Sequence, residues 1–452
     1  MSGGSGELIT RRKFLAGAAA IAASRAAARP NIIFILADDL GCFDLGCYGQ
    51  KKIRTPNIDR LAAEGMKFNQ AYAGGVVCAP SRSCLMTGMH TGHTTVRNNS
   101  SVRTGERVPL RAEDITVAKV LKGAGYATGV IGKWGLGEAG TTGIPNRQGF
   151  DEWFGYLNQD HAVDYYTDYL WRNQQKEILK GNLSGGRREY THDLFTREAV
   201  RFIRAHNTEP FFLYQAYTIP HSNHEVPSDA PYAGERWTQE QKNYAAMVTR
   251  MDADVGRLVG LLKEAGLDAN TLVFFSSDNG AGFKEGIELF RSTGSLRGRK
   301  GDVYEGGIRA PMIARWPGKI RPGSTSEQVW AFWDFLPTAA ELAGAKAPPN
   351  IDGLSIVPTL LGQKQKQREY SYWEAYPKGG FCQAVRMGDW KGVRQGLKGP
   401  LELYNLAHDV AESHSVAAEH PDVVAKIEAI LRTARTDAAE YPVDGKTRKK
   451  GK

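Results

Sequence analysis

The segment CAPSRSCLMTG, residues 78–88, places a thiol where a helix is expected to begin. Pro80 suits the first turn of a helix, because the N–H that proline lacks would have no intrahelical partner there. Cys78 would then lie at the helix N-terminus, where backbone N–H groups favour a bound anion. A cysteine in this position is either activated as a thiolate or chemically modified. We therefore take Cys78 as a candidate reacting group, with the cation of Arg82 one turn further on.

Two pairs of oxygen-bearing side chains follow apolar runs that are typical of buried parallel strands. The run IIFILA is followed at once by Asp38 and Asp39, and the run TLVFF leads into Asp278 and Asn279. Either polar stretch alone is typical of a turn. Because ligands bind beyond the carboxyl ends of strands in open α/β sheets, we expect the two pairs to meet. Three carboxylates and one amide oxygen predict a site for Ca²⁺ or Mg²⁺.

The elements that must position these residues alternate along the chain. Helical patterns and apolar strands succeed one another over residues 29–364, which predicts an α/β domain with a mostly parallel central sheet flanked by helices. From about residue 365 the pattern changes to short strands and then a helix over about 422–435. We predict a smaller C-terminal subdomain of antiparallel strands with one helix, residues 365–440, and a basic disordered tail, residues 441–452.

The N-terminal segment predicts export. It contains a twin arginine, then Phe-Leu, then an alanine-rich apolar run and an A-x-A site, which together indicate a Tat signal peptide over residues 1–28. The alternatives are a Sec signal and a buried alanine-rich helix. We expect a periplasmic or secreted protein. No later apolar run is long enough to span a bilayer, so no membrane partner is predicted.

The net charge of +9 comes mainly from the two ends of the chain. Residues 1–28 and the tail KTRKKGK hold nine Lys or Arg against one Glu, so the body is nearly neutral and a nucleic-acid partner is not expected. The five cysteines include Cys42 and Cys47, which could form a disulfide in an oxidising compartment. An odd count leaves at least one thiol unpaired or modified, and the spacings match no common zinc module.

Several segments carry a family resemblance. C-A-P-S-R at 78–82, followed by Thr87-Gly88, resembles the signature of the type I sulfatases of the alkaline phosphatase superfamily. Further segments occur in that family's order: ADDLG at 37–41, GKWGLG at 132–137, PH at 220–221, SSDNG at 276–280, LRGRKGDVYEGGIRAP at 296–311 and ELYNLAHD at 402–409. The resemblance covers most of the chain after the signal segment, and it implies an alkaline-phosphatase-like fold.

The resemblance also implies a fate for the thiol. In the family, a separate formylglycine-generating enzyme oxidises this cysteine to formylglycine, so Cys78 would be the source of an aldehyde that is hydrated to a geminal diol. The metal ligands would be Asp38, Asp39, Asp278 and Asn279 together with the modified Cys78, most commonly with Ca²⁺ and alternatively with Mg²⁺.

The resemblance assigns roles to four further side chains. Arg82 would stabilise the formylglycine and the charges of the metal site. Lys133 and Lys300 would contact sulfate oxygens. His221 would contact sulfate or act as the acid for the leaving oxygen.

One residue departs from the family pattern. Many members have a histidine where this chain has Gly135, and that histidine is thought to help to expel sulfate. We expect His161 to be the first candidate for a replacement base, ahead of His93 and His224. His161 could equally be a specificity or structural residue of its loop.

The aromatic side chains of that loop could bind a sugar. Tyr156, Tyr165, Tyr166 and Trp171 are candidates for a stacking wall, although ordinary packing is an alternative for each of them. The predicted function is hydrolysis of a sulfate monoester, on a sulfated small molecule or glycan. The alternatives are a phosphodiester or phosphonate hydrolase of the same superfamily and a non-catalytic sulfated-glycan binder.

Overall fold

The computed structural model describes residues 29–377 and 380–443, so the predicted signal segment and most of the basic tail lie outside the described residues. Sixteen strands are described within these ranges. They are β1 (Asn31–Ala37), β2 (Met66–Phe68), β3 (Ala71–Tyr72), β4 (Ala127–Lys133), β5 (Glu152–Tyr156), β6 (Tyr169–Arg172), β7 (Gln175–Ile178), β8 (Phe211–Ala216), β9 (Thr271–Ser277), β10 (Met312–Arg315), β11 (Ser324–Ser326), β12 (Trp330–Ala331), β13 (Ser371–Ala375), β14 (Cys382–Met387), β15 (Trp390–Gln395) and β16 (Leu401–Asn405).

Ten α-helices connect these strands in the same part of the chain. They are α1 (Pro56–Ala63), α2 (Cys78–Thr87), α3 (Val117–Gly123), α4 (Thr191–Ala205), α5 (Gln239–Glu264), α6 (Lys284–Phe290), α7 (Glu305–Ile308), α8 (Phe335–Leu342), α9 (Val357–Leu360) and α10 (Pro421–Thr433). Helix α2 begins at Cys78, as the position of Pro80 predicts.

A ten-stranded sheet forms the centre, in the order β11-β2-β10-β9-β1-β8-β4-β5-β6-β7. The five strands β9-β1-β8-β4-β5 are mutually parallel, whereas β10, β6 and β7 pair antiparallel with their neighbours. The predicted mostly parallel α/β sheet is confirmed. The parallel strands all point their carboxyl ends to one edge, which is where the candidate site lies.

The sheet has an apolar layer on each face. Along β1, Ile33 and Ile35 pack with α1, α4 and α5, while Phe34 and Leu36 pack with α2, α3 and α8. Every residue of β1 is buried, which explains why the strand is a continuous apolar run rather than an alternating one. Each such side chain contributes about 1.5–3 kcal/mol when it is fully buried.

The C-terminal part is a four-stranded antiparallel sheet, β13-β14-β15-β16. Helix α10 packs Ile427 and Leu431 against Val385 and Leu403 of this sheet. This confirms the predicted smaller antiparallel sheet with one helix, and the helix ends two residues earlier than expected.

Two local expectations are wrong. The sequence pattern over residues 329–345 predicts one helix, but the segment begins as the short strand β12, because Trp330 pairs with Ala71 of β3 before helix α8 starts. Cys42 and Cys47 form no disulfide, and all five cysteines are free. Within the described residues, no helix is both long and apolar enough to cross a bilayer.

Candidate functional site

The candidate site is assembled from the ends of four adjacent parallel strands. Asp38 and Asp39 follow β1, and Asp278 follows β9 directly after its last residue. Lys133 is the last residue of β4, and His221 follows β8 by five residues. Because these strands are neighbours in the order β9-β1-β8-β4, the sheet brings together side chains that lie up to 240 residues apart in sequence.

Cys78 lies at the centre of this cluster, with 1% of its surface exposed. Its Sγ is 3.5 Å from Asp38 Oδ1, 3.3 Å from Lys133 Nζ and 3.8 Å from Lys300 Nζ. Burial, reinforced by Asp38, raises the pKa of the thiol to about 12, and the two lysines do not reverse this. The unmodified thiol is therefore protonated and a poor nucleophile at neutral pH. Of the two fates considered for this cysteine, burial disfavours activation as a thiolate.

The carboxylates of the cluster are paired with cations. Burial alone would raise the pKa of Asp38, but Lys133, whose Nζ lies 2.6 Å from Asp38 Oδ2, is the main cause that holds the pKa below its usual range. Lys300 acts in the same way on Asp39, from 2.7 Å. Burial and the neighbouring Asp38 instead raise the pKa of Asp278. Three carboxylates in one buried cluster thus share the surrounding positive charge.

Arg82 ties three elements together from a fully buried position. Its Nε and Nη2 donate to Asp278 Oδ2 at 3.1 and 2.7 Å, and its Nη1 donates to the carbonyl of Lys133 at 2.8 Å. Helix α2 is thereby fixed against the ends of β9 and β4. The side chain organises the carboxylates rather than facing solvent.

The donor set fits a divalent cation. Asn279 Nδ2 donates to Asp39 Oδ1 at 2.8 Å, whereas Asn279 Oδ1 is buried without a hydrogen-bond partner among the described residues. Ligand atoms of Asp38, Asp39, Cys78 and His221 all lie within 4.8 Å of one another. An unpaired buried amide oxygen beside carboxylates is a group that a hard cation satisfies.

His221 faces the cluster with one ring nitrogen. Its Nδ1 lies 2.7 Å from the carbonyl oxygen of Ser222, and because a carbonyl only accepts, Nδ1 carries a hydrogen. Nε2 lies 3.1 Å from Lys300 Nζ and 3.5 Å from Asp39 Oδ2. The ring is thus oriented by Ser222 so that Nε2 faces Lys300 and Asp39.

The structure does not bring His161 into this cluster. Its Nε2 bonds to Thr167 Oγ1 at 2.6 Å, and its ring packs between Tyr156 and Tyr169. The two lower-ranked histidines also have partners elsewhere: His93 pairs with Asp352 and His224 pairs with Glu240. In the described part of the chain, none of the three contacts Cys78.

Of the two interpretations left open for the four aromatic side chains of the loop, ordinary packing holds for two. Tyr156 and Tyr165 are completely buried in the core layer beside α4 and α5, and Tyr165 donates its hydroxyl to the carbonyl of His221 at 2.6 Å. Tyr165 therefore supports the backbone that carries the histidine. Tyr166 and Trp171 are half-buried and keep partly accessible rings.

Sequence reasoning missed two residues that border the cluster. Asn99 Oδ1 accepts from the backbone N–H of Ala79 at 2.9 Å, and Gln159 Nε2 donates to the carbonyl of Gly135 at 3.2 Å. A Cβ at position 135 would lie 2.5 Å from Gln159 Nε2, and the backbone there has φ of +81°. Gln159 thus fills the space beside Gly135, and no sequence motif marks it.

Two known protein families match this chain, and together they cover residues 30–437. The family described as Sulfatase matches residues 30–345, and the family described as N-sulphoglucosamine sulphohydrolase, C-terminal, matches residues 299–437. The chain belongs to the sulfatase family. It is accordingly a sulfuric ester hydrolase.

Relatives of this sulfatase are similar over most of its length. N-acetylgalactosamine-6-sulfatase of Canis lupus familiaris is 35% identical over 394 residues, covering 83% of this chain and 73% of the relative. N-acetylgalactosamine-6-O-sulfatase of Bacteroides thetaiotaomicron is 30% identical over 489 residues, covering 90% and 93%. The crystal structure of Ps i-CgsB in complex with k-i-k-neocarrahexaose has a TM-score of 0.80 at 31% identity and covers 92% and 95%. The fold is therefore shared with this structure over most of the chain.

Proposed function

We propose that this sulfatase hydrolyses sulfate monoesters of carbohydrates through a formylglycine derived from Cys78. The observation that carries the proposal is the position of Cys78, enclosed between Asp38, Lys133 and Lys300 at the carboxyl edge of the sheet. The names of the two N-acetylgalactosamine-6-sulfatase relatives support a sugar as the substrate.

The proposed groups supply two kinds of chemistry. A hydrated formylglycine supplies the oxygen nucleophile for sulfuryl transfer, and a bound divalent cation supplies charge neutralisation at the sulfuryl oxygens. We propose Ca²⁺, with Mg²⁺ as the alternative, held by Asp38, Asp39, Asp278 and Asn279 together with the modified residue 78. All four side chains offer oxygen ligands, which suits a hard cation.

The chain's own residues orient the substrate. Lys133 and Lys300 place two ammonium groups within 4 Å of the same sulfur atom of Cys78, where they would bind the oxygens of a sulfate ester. Arg82 holds Asp278 and Asp38 in place. His221 presents Nε2 on the more open side of the cluster, beside Lys300, where it would transfer a proton to the leaving oxygen.

Maturation and location follow from the same proposal. The motif Cys78 to Arg82 would be read by a formylglycine-generating enzyme, and the segment over residues 1–28 would direct the protein through the twin-arginine pathway to the periplasm or beyond. We also keep the proposed boundaries of a catalytic domain, residues 29–364, and a C-terminal subdomain, residues 365–440. His161 stays a less favoured candidate base, because its ring is already engaged by Thr167.

The proposal is tested by co-expression with a formylglycine-generating enzyme. Mass spectrometry of the peptide that contains Cys78 should show loss of H₂S and gain of one oxygen, and the converted protein should release sulfate from an aryl sulfate. Cys78→Ala should abolish turnover. Cys47→Ala is the control, because the backbone of Cys47 bonds to Asp59 and Lys67 outside the cluster.

Two outcomes would count against this assignment. Sulfate release that survives Cys78→Ala would remove Cys78 from the reaction. Faster turnover of a phosphodiester or phosphonate than of any sulfate ester would favour a different reaction class for the same site.

A further inference from the structure

A cavity of about 610 Å³ lies beside the catalytic cluster and has no part in the chemistry described so far. Asn99 and Gln159 line it. Asn99 bonds to the backbone of Ala79, the residue that follows Cys78, and Gln159 bonds to Gly135, two residues after Lys133. Through these two bonds, the cavity wall contacts the segment that carries Cys78 and the segment that carries Lys133. A substituent on a bound sulfate ester would lie next to these segments.

The charged lining of this cavity is predominantly negative. Glu106, Glu138 and Asp160 face one cation, Arg107. Arg107 is already paired, with its Nη1 3.0 Å from Glu138 Oε1 and its Nη2 bonded to Asp160. Because two carboxylates already neutralise the charge of this guanidinium, it would attract an anionic ligand only weakly. The net charge of the cavity lining is therefore negative, opposite to that of the neighbouring pair Lys133 and Lys300.

The uncharged lining is suited to hydroxyl groups. Ser100 and the amides of Asn99 and Gln159 complete the wall. Gln159 is more than nine-tenths buried, and its Oε1 has no hydrogen-bond partner among the described residues. A buried acceptor without a donor is unfavourable, so a donor brought by a ligand would be stabilising. The carboxylates of the lining can also accept hydrogen bonds from sugar hydroxyls, which are uncharged and are not repelled.

We propose that this cavity binds the leaving sugar of a carbohydrate that carries one sulfate, free hydroxyls and no second anionic group nearby. This inference rests on the proposed function. A second sulfate or a uronate carboxylate in the cavity would face three carboxylates and a cation that is already paired, and like charges at such a distance oppose binding. The site would therefore combine attraction for the reacting sulfate with discrimination against polyanionic sugars.

The test compares N-acetylgalactosamine esters that differ in the position and number of their sulfate groups. The substrates are N-acetylgalactosamine 4-sulfate, 6-sulfate and 4,6-disulfate, with p-nitrophenyl sulfate as the reference ester. We expect kcat/KM for the better monosulfate to exceed that for the disulfate by about tenfold or more, a factor that one repulsive charge contact supplies. Raising the ionic strength should bring the ratio of kcat/KM for monosulfate and disulfate closer to one, because salt screens exposed charges.

Matched variants locate the effect in the cavity. The double variant Glu138→Gln and Asp160→Asn keeps the side-chain shapes, removes two negative charges and frees Arg107. It should lower the monosulfate-to-disulfate ratio by about tenfold. Glu113→Gln removes an exposed carboxylate that is absent from the cavity lining, and it should leave the ratio as in the wild type.

The outcomes separate this inference from the proposed function. Three results with hydrolysis of p-nitrophenyl sulfate would overturn the cavity assignment and leave the sulfatase chemistry standing. They are a monosulfate-to-disulfate ratio of kcat/KM near one, no cleavage of any of the three sugars, and a double variant that keeps the wild-type ratio. If converted protein releases sulfate from no ester at all, both are overturned.

Discussion

Arg82 shows how much one buried cation contributes at the scale of a residue. It is fully enclosed and donates to Asp278 and to the carbonyl of Lys133. Because Asp278 and Asp38 would be left buried without this partner, Arg82→Met should lower the free energy of unfolding by about 3–5 kcal/mol. Urea unfolding of the unconverted protein measures this independently of maturation. Arg82→Lys is the control and should lose less, and equal losses would contradict the role of the paired charge.

Asp44 makes stability depend on pH. It accepts hydrogen bonds from Ser292, Tyr244 and Gly41, and no cation contacts it among the described residues. Burial raises the pKa of this carboxyl from 3.8 to about 6, despite those hydrogen bonds. The folded protein therefore holds a proton that the unfolded chain releases, and stability falls as pH rises from 3.8 to 6.

Asp44→Asn should remove this dependence. Between the two pKa values, the wild type should lose about 3 kcal/mol more unfolding free energy than the variant does. Urea unfolding across that pH range measures the difference. Asp437→Asn, which changes a fully exposed carboxyl, should follow the wild type. Parallel pH profiles for Asp44→Asn and the wild type would show that Asp44 titrates normally.

At the scale of elements, the loop over residues 297–305 attaches Lys300 to the C-terminal sheet. Arg297 donates to Tyr404 and to the carbonyl of Glu412, and the backbone N–H of Glu305 donates to Glu412 Oε2 at 2.7 Å. Lys391 of β15 lies 2.9 Å from Glu305 and 2.8 Å from Glu412, with all three side chains buried. The small subdomain thus holds both ends of the loop that carries Lys300.

Lys391→Met tests this attachment. It leaves Glu305 and Glu412 buried without their cation, so we expect a loss of about 3–5 kcal/mol in unfolding free energy. We also expect kcat/KM to fall by about tenfold because Lys300 loses its position. Leu403→Ala is the control: it weakens the same sheet by about 2–5 kcal/mol through a cavity and should spare kcat/KM of the folded fraction. Equal kinetics for both variants would exclude a positioning role.

The sequence allowed the strands and the central cluster to be predicted, but not what surrounds them. Parallel strands buried on both faces leave continuous apolar runs, so the positions of Asp38 and Asp278 at strand ends could be deduced. The sequence pattern does not indicate the pairing of Lys391 with Glu412, because these two side chains lie in separate segments that meet only in the folded structure. The same is true of Gln159 beside Gly135. Burial of Tyr156 and Tyr165 depended on how α4 and α5 pack, which aromatic content alone does not determine.

At the scale of the whole molecule, the sheet concentrates charge at one edge. Asp38, Asp39 and Asp278 meet there, and the strands that carry them are β1 and β9 at the centre of the fold. Cation binding by these residues would cross-link both strands to the rest of the core. Because a ligand that binds only the folded state stabilises it, metal and stability should be linked.

Removal of metal should therefore lower the melting temperature. Calcium at about one hundred times its dissociation constant should restore about 2.7 kcal/mol to chelated protein. Differential scanning calorimetry after chelation, with Ca²⁺ or Mg²⁺ added back, measures the increment. Asn279→Leu should reduce this increment at the same ion concentration, because one of the proposed ligands, the unpaired Oδ1, is lost. An identical thermal transition with and without the ions would contradict a metal at this edge.

Every residue of helix α2 is buried, from Cys78 to Thr87. An enzyme that modifies Cys78 has to bind the backbone around this residue. In the folded protein, residues 78–87 are buried and therefore inaccessible to it. Under the proposed function, conversion of the thiol would therefore have to precede folding. A molecule that folded first would keep an unconverted Cys78, and only unfolding and renewed exposure to the converting enzyme would rescue it. The fraction of active protein would then depend on the relative rates of conversion and folding of the nascent chain.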